Sequence, residues 1–311
     1  MIKYWSTLEV SWGLKLAPSF RHSSLNATLN TRCFMRRLNR LQLAARDALK
    51  LCIASIQDPA LTDRLALVAD QLEAAEAAYV NRGGEAELFL VPKTLGIGAV
   101  TVEEMKRVYK GTFAKSKRTR DIYDTIKKLP VNDICPICGQ RTVGTLDHYL
   151  AQSLHSALAI TPANLVPACS DCNKAKLDAQ PLTAAEQTLH PYFDNVDDDV
   201  WLYAAVEETS PASLRFFPDP PDCWSQVMRE RVSNHFRTFG LGALYASHSG
   251  VELTNIRYGL QRIAERGTDE DIRLELVKRA ESAEAAHLNS WQAAMYYALA
   301  QSAWFCAGGF N

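Results

Sequence analysis

The chain lacks a charge excess of either sign. Its 34 Lys and Arg stand against 35 Asp and Glu, giving a formal net charge of −1 and a pI near 6.7. That balance speaks against a free-standing protein held on nucleic acid by bulk charge, because such a grip grows with the number of phosphates neutralised. Also missing is an uninterrupted apolar run of about 20 residues, the length a helix needs to span a bilayer. The most apolar segment, 287–305, is broken by Gln292, Gln301 and Ser302, so it reads as a buried helix or a partner-facing surface. No cleavable signal is visible, and Cys33, Cys52, Cys223 and Cys306 show no disulfide spacing. A reducing, cytoplasmic setting is the expectation. With 311 residues and 47% hydrophobic content, the chain has material for two or three modules and a sizeable core.

The other four cysteines are grouped. Cys135-Pro-Ile-Cys138 and Cys169-Ser-Asp-Cys172 are two C-x-x-C knuckles, each able to offer two thiolates to a tetrahedral ion at about 2.3 Å per Zn–S bond. A redox pair would call for one such motif beside a βαβ pattern, whereas two in tandem fit a metal better. Structural Zn²⁺ is therefore expected, with every position filled by sulfur and no chemistry of its own. The stretch between the knuckles is longer than in a plain zinc ribbon, so something is built there. Residues 143–149 read as a short strand delivering Asp147 and His148 side by side. Asn164-Leu-Val-Pro reads as a second extended piece, and Cys172-Asn173-Lys174-Ala175-Lys176 as the opening of a helix.

Strand, loop, strand and helix, with Asp-His on the first strand and Asn at the helix start, resembles the HNH endonuclease family. The variant is an HNN one, and the family's ββα-metal finger is here framed by the four cysteines. The resemblance covers this segment only. It implies that His148 is the general base that takes a proton from the attacking water, a task suited to an imidazole with an unperturbed pKa of about 6.5. It implies Asp147 and Asn173 as ligands of one catalytic Mg²⁺ or Mn²⁺, and Asn164 as the residue that orients the loop through backbone groups near His148. Water and the scissile phosphate would complete the shell, as hard cations with few carboxylate ligands prefer. One departure is Ala151, where related sequences place Pro after the Asp-His strand; it loosens the loop and removes no chemical group.

Lys174 and Lys176 are expected in the first turn of that helix, facing substrate phosphates or solvent. Upstream, nine cations between Lys106 and Lys128 have only Asp121 and Asp124 among them. Of these, Lys115, Lys117, Arg118 and Arg120 are the candidates for phosphate contact, with a solvated helix face as the alternative. Asp194, Asp197, Asp198 and Asp199 form an acidic counterpart that shields a flank or meets a basic partner. His190 lies in a Pro-flanked loop and reads as a turn histidine ahead of an accessory ligand.

Residues 1–34 show neither period nor caps and read as a start-site extension, or a loose arm docked by Trp5, Trp12 and Phe20. A helical N-terminal region follows at 35–130. It holds a helix on Leu38, Leu41, Ala45, Leu49 and Cys52, and a second from the Asp58-Pro59 cap to about Tyr79, ended by Asn81-Arg-Gly-Gly. A short strand at 85–91, a helix opened by the Thr101 and Glu104 capping box, and a basic helix at 116–128 complete it. The finger occupies 131–195, with another capping box at Thr183 and Glu186. A β-hairpin and linker fill 196–222, with strands at 201–206 and 213–217. The C-terminal helical region, 223–311, has helices at 224–239, 252–266, 269–285 and 287–305. The expected fold is α+β and predominantly helical, with the finger at its centre.

Two readings of function follow. In the first, the chain is a metal-dependent HNH endonuclease hydrolysing phosphodiester bonds, in DNA foremost and with RNA as the alternative, its helical flanks positioning substrate or binding a partner. The family implies restriction or anti-phage defence, some members working beside an ATPase subunit, and a homo-oligomer is the other arrangement considered. In the second, it is a zinc-stapled module that binds nucleic acid or protein without catalysis. Retention of Asp147, His148 and Asn173 separates the two, since a binding finger needs only the cysteines.

Overall fold

Several helix starts in this chain are set by short polar side chains that take up the first free backbone N–H groups. The computed structural model describes residues 37–176 and 180–311. The expected arm at 1–34, with Trp5, Trp12, Phe20 and Cys33, lies outside the described residues.

Three helices open the described chain: α1 (Ala45–Ile53), α2 (Pro59–Leu67) and α3 (Ala69–Gly84). The Asp58 carboxylate caps α2, accepting from the Ala60 and Leu61 N–H groups, with Pro59 at the first helical position. The one helix expected from here to Tyr79 is two, because the chain bends at Val68 (φ −102°, ψ 7°). The second ends at Gly84, within the expected Asn81-Arg-Gly-Gly stop. Any side chain at 83 would collide with the Phe193 ring, which packs where a Cβ would sit. Residues 85–91 are not a strand. They form a 3₁₀ turn at Leu88–Leu90, which suffices to bury Leu88 and Val91 in the core.

Helix α4 (Val102–Arg107) opens on the full Thr101–Glu104 capping box. It runs on into a π-helical turn, Val108–Phe113, in which the Ala114 N–H reaches back five residues to the Tyr109 carbonyl at 2.9 Å. Such turns are rare and frequent at functional sites. Helix α5 (Arg120–Lys127) starts later than the basic helix expected from Ser116. Residues 116–119 form a turn instead, because buried Thr119 donates its hydroxyl to the Thr112 carbonyl at 2.8 Å.

Strand β1 (Thr145–His148) pairs antiparallel with β2 (Leu165–Ala168), Asp147 opposite Val166 and His148 opposite Leu165. Helix α6 (Ser170–Lys176) follows at once. Strands β3 (Leu202–Glu207) and β4 (Ser213–Pro218) make a second antiparallel pair. The chain ends in α7 (Gln226–Thr238), α8 (Leu241–Ala264), α9 (Asp269–Ala286) and α10 (Trp291–Gln301). Helix α8 begins well before the expected 252, because Gly240 in the left-handed region (φ 59°) ends α7 and turns the chain straight into it. Of the capping box at Thr183 and Glu186, the Glu186 N–H bonds the Thr183 hydroxyl at 3.4 Å while the Glu186 carboxylate accepts from the Leu182 N–H at 2.7 Å, and no helix follows. Gln187 is drawn into the core instead, where its side-chain oxygen accepts from the Phe89 N–H at 3.2 Å. The architecture is α+β and mostly helical, with two two-stranded sheets among the described residues.

The β1–β2 hairpin lies between two hydrophobic cores, and β2 is buried along its whole length. Leu146, Ala159, Ile160 and Leu165 join Leu49, Leu65, Leu72, Met105 and Phe113 in one. Val143, Tyr149, Val166 and the four cysteines join Trp201, Tyr245, Leu276, Met295 and Phe305 in the other. Each large apolar side chain buried this way contributes about 1.5–3 kcal/mol, so the hairpin is fixed from both faces. Helix α10 belongs to the second core and packs on α9 and β3. Among the described residues, no helix is long and apolar enough to cross a membrane.

Within the acidic group at 194–199, Asp194 is turned inward and offers no acidic face, while Asp198 and Asp199 stay exposed. Arg231, 2% exposed, donates to both Asp194 oxygens at 2.7 and 2.6 Å and to the Thr188 carbonyl at 3.0 Å. The Trp224 indole N–H donates to Asp199 at 2.8 Å. These bonds tie α7 and the preceding linker to the segment that follows the second knuckle.

Candidate functional site

Each cysteine knuckle is shaped by its own backbone. In the first, the Cys135 N–H donates to the Arg141 carbonyl at 2.7 Å and the Gly139 N–H to the Cys135 carbonyl at 2.8 Å. Gly139 takes a left-handed conformation (φ 61°) that glycine adopts without steric cost. Sulfurs accept from the backbone in both: Cys138 from Arg141 N–H and Cys169 from Cys172 N–H, each at 3.4 Å. Arg141 then pairs with Asp171 across the two knuckles at 2.9 Å. All four sulfurs are buried and lie within 4.8 Å of one another. Crowded by their neighbours, Cys138 and Cys169 are pushed below the usual thiol range and Cys135 and Cys172 above it. This donor set fits a tetrahedral zinc ion with no open position.

His148 sits at the end of β1, 7% exposed, with Nε2 at 2.8 Å from the Ala159 carbonyl oxygen. A carbonyl only accepts, so Nε2 carries the hydrogen and Nδ1 is left as a bare acceptor. Tyr109 stands edge-on against the ring, centroids 4.4 Å apart at 70°. Burial pushes the imidazole down to about 4; the Ala159 bond opposes this, and the charges of Lys176 and Lys110 add to it. The ring is neutral at pH 7.

Asp147, 9% exposed, accepts from the Lys176 ammonium at 3.0 Å through Oδ2. The same ammonium donates to the His148 carbonyl at 2.5 Å and lies 5.4 Å above the Tyr149 ring. Lys176 therefore departs from its expected place. It lies in the last described turn of α6, 9% exposed, and faces neither phosphate nor solvent. A helix that starts at Ser170 brings position 176 back over the strand that carries Asp147, which is why this cation turns inward. Lys174, also in that turn, is exposed. Asn173 is half-buried and lines the same cavity as Asp147 and His148.

That cavity measures about 520 Å³. Asp147, His148 and Asn173 line it from the hairpin and α6, and Tyr109, Lys110, Lys115 and Tyr123 from the N-terminal region. Lys110 and Lys115 are exposed. Gln152, on the loop between the strands, also lines the cavity, and its Oε1 is buried with no hydrogen-bond partner among the described residues. Lys117 and Arg118 are exposed on the turn before α5 and are not among the lining residues. Arg120 is engaged with Asp124 and the Ala114 carbonyl, both at 2.9 Å, and covers the Tyr123 ring. The sequence marks none of Tyr109, Tyr123 and Gln152 as a site residue. The place of Tyr109 depends on the π turn, which has no sequence signature.

Asn164 is fully buried between the loop ends. Its oxygen accepts from the Leu150 N–H at 2.8 Å, and its amide donates to the carbonyls of Leu150 at 3.0 Å and Leu158 at 3.2 Å. Leu158 precedes Ala159, so this one side chain sets the position of the carbonyl that anchors His148. The loop is not loosened by Ala151. The Ala151 carbonyl accepts from the Leu154 and His155 N–H groups at 3.0 and 2.9 Å, and the Ser156 hydroxyl pins the turn to the Thr94 carbonyl at 2.7 Å.

His190 is buried and structural. Its Nδ1 accepts from the Tyr192 N–H at 3.1 Å, so Nε2 bears the hydrogen and meets the Tyr79 hydroxyl at 2.9 Å. Burial, then the charges of Arg231 and Lys176, hold it well below the ordinary histidine range.

No protein-family model matches the chain, and no solved structure does. Among curated proteins the chain is similar to Protein ea31 of Escherichia phage lambda, 28% identical over 175 residues. The match spans 54% of this chain and 58% of that protein, a little over half of each.

Proposed function

We propose that the chain is a metal-dependent endonuclease of the HNH type that hydrolyses phosphodiester bonds, with DNA as the preferred substrate. One observation carries the reading. A neutral imidazole, its tautomer set by the Ala159 carbonyl, lines the same cavity as a carboxylate and a carboxamide. In this reading zinc sits on the four cysteines and holds the ends of the hairpin and α6 together. Asp147 and Asn173 would supply one charged and one neutral oxygen to Mg²⁺ or Mn²⁺, a donor pair that suits a hard cation. The bound ion would neutralise charge on the phosphate oxygens.

The protein groups do the rest. His148 accepts a proton from water at Nδ1, because Nε2 is already committed to Ala159. Burial holds its pKa near 4, so at neutral pH the ring is unprotonated and free to accept, and a phosphate anion beside it favours the protonated form. The water oxygen bonds to phosphorus as the bond to the leaving oxygen breaks, and solvent returns a proton to the leaving group. Lys110 and Lys115, across the cavity, meet the flanking phosphates. Asn164 acts on geometry alone. By resemblance to the family, the reading extends to restriction or anti-phage defence, beside an ATPase partner or a second copy of the chain.

The test is plasmid nicking in Mg²⁺ or Mn²⁺ by the zinc-loaded protein, wild type beside His148→Ala, with an RNA substrate in parallel. Wild type cuts, and the variant loses at least about a hundredfold, the usual contribution of a general base. Equal cutting by both proteins sinks the assignment of His148. Cutting of RNA alone changes the substrate and keeps the chemistry. No cutting of either, with zinc retained, favours a zinc-stapled binding module.

A further inference from the structure

We propose that Lys176 is a positioning residue that stands in for the divalent cation at Asp147 and competes with it. The protein thus keeps its site formed without the ion and loads the ion weakly. This rests on the nuclease reading of the same cavity. Buried ammonium groups are expensive unless paired, and this one has two oxygen partners and an aromatic face. Both oxygens belong to the adjacent residues that carry the chemistry, Asp147 through its carboxylate and His148 through its carbonyl. One side chain from α6 therefore fixes the carboxylate, the base and, through its own helix, Asn173 in a common frame.

The same contact opposes metal. A dication drawn to the Asp147 carboxylate meets a positive charge already 3.0 Å from Oδ2, and like charges repel. The structure also offers the ammonium somewhere to go. Lys176 and Tyr149 line a second cavity of about 200 Å³, whose wall includes the carboxylate residue Glu186. Lys176 lines this second cavity and not the first, which it reaches only through Asp147, so an ion arriving at Asp147 from the first cavity drives the ammonium further into the second.

The test is Mn²⁺ binding by the zinc-loaded full chain, read by the electron paramagnetic resonance of free Mn²⁺, which needs no activity. Lys176→Met binds Mn²⁺ on the order of tenfold more tightly than wild type, since a screened like charge has been removed. Asp147→Asn loses binding, and Lys176→Arg returns to the wild-type affinity. Nicking by Lys176→Met saturates at lower Mn²⁺ but reaches a lower maximal rate, because the His148 backbone carbonyl has lost the ammonium that held it. Lys176→Gln, which keeps a donor without the charge, shifts the affinity in the same direction and serves if the methionine variant loses zinc. Affinity unchanged or weakened in both neutral variants overturns the proposal and leaves the nuclease reading standing. Equal Mn²⁺ binding by wild type and Asp147→Asn overturns both.

Discussion

His148 and Ala159 are joined by a hydrogen bond of 2.8 Å between Nε2 and a backbone carbonyl eleven residues further on. That bond decides which nitrogen carries the proton, and with it which nitrogen remains to accept one. It also makes the imidazole's position dependent on a loop that Asn164 holds closed, so the consequences of disturbing either can be stated.

Asn164→Ala leaves the Leu150 N–H and the carbonyls of Leu150 and Leu158 without their buried partner. A loss of roughly 2–4 kcal/mol is expected from the desolvated groups, seen as a lower urea midpoint. Nicking falls as well at temperatures where the variant is folded, because the Ala159 carbonyl shifts. An unchanged midpoint would contradict the role given to this side chain.

Metal analysis returns one zinc per chain, held by the four clustered sulfurs. Structural zinc sites contribute about 10–16 kcal/mol of binding energy in small folded peptides. Cys169→Ser or a strong chelator therefore removes the ion and lowers the melting temperature steeply. A zinc-free preparation melting like the native one rules out the structural role.

Lys110 and Lys115 line the cavity and are exposed. Replacing both by Gln weakens DNA binding and reduces the slope of log affinity against log salt by about 2, one for each phosphate no longer neutralised. The same pair of changes at Lys117 and Arg118, which line no part of the cavity, leaves the cutting rate at saturating DNA unchanged. Reversal of that order moves the strand path to the turn before α5.

The folded state holds His190 neutral, its pKa depressed by burial, while the unfolded chain takes up the proton near about pH 6.5. Stability from this residue is complete above the unfolded value and is lost as pH falls below it, since the unfolded state then binds the extra proton. Thermal melts show a falling midpoint from roughly pH 7 to 5, and a shallower fall in His190→Gln. Equal pH slopes for the two proteins would remove His190 as the cause.

Local chemistry made a good part of this legible in advance. Asp58 and Thr101 cap their helices from within three residues, and the paired C-x-x-C knuckles place four sulfurs wherever the hairpin between them closes. The spacing of Asp147, His148 and Asn173 likewise put them on one short strand and the helix that follows, and they line one cavity. Another signal of the same kind failed. The Thr183 hydroxyl accepts from the Glu186 N–H without a helix following, because Gln187 has a partner in Phe89 far along the chain.

By itself, then, the sequence determined which four cysteines come together, where several helices begin, and which side chains stand next to one another along β1. Those depend on neighbours a few bonds away, where backbone geometry allows few alternatives. Only the tertiary structure decided that Lys176 turns inward onto Asp147, that Tyr109 braces His148, and that Asp194 is buried on Arg231. A charged side chain looks the same in a sequence whether it ends in water or against a carboxylate. What separates the two is the desolvation of its surroundings, which exists only once distant segments have packed.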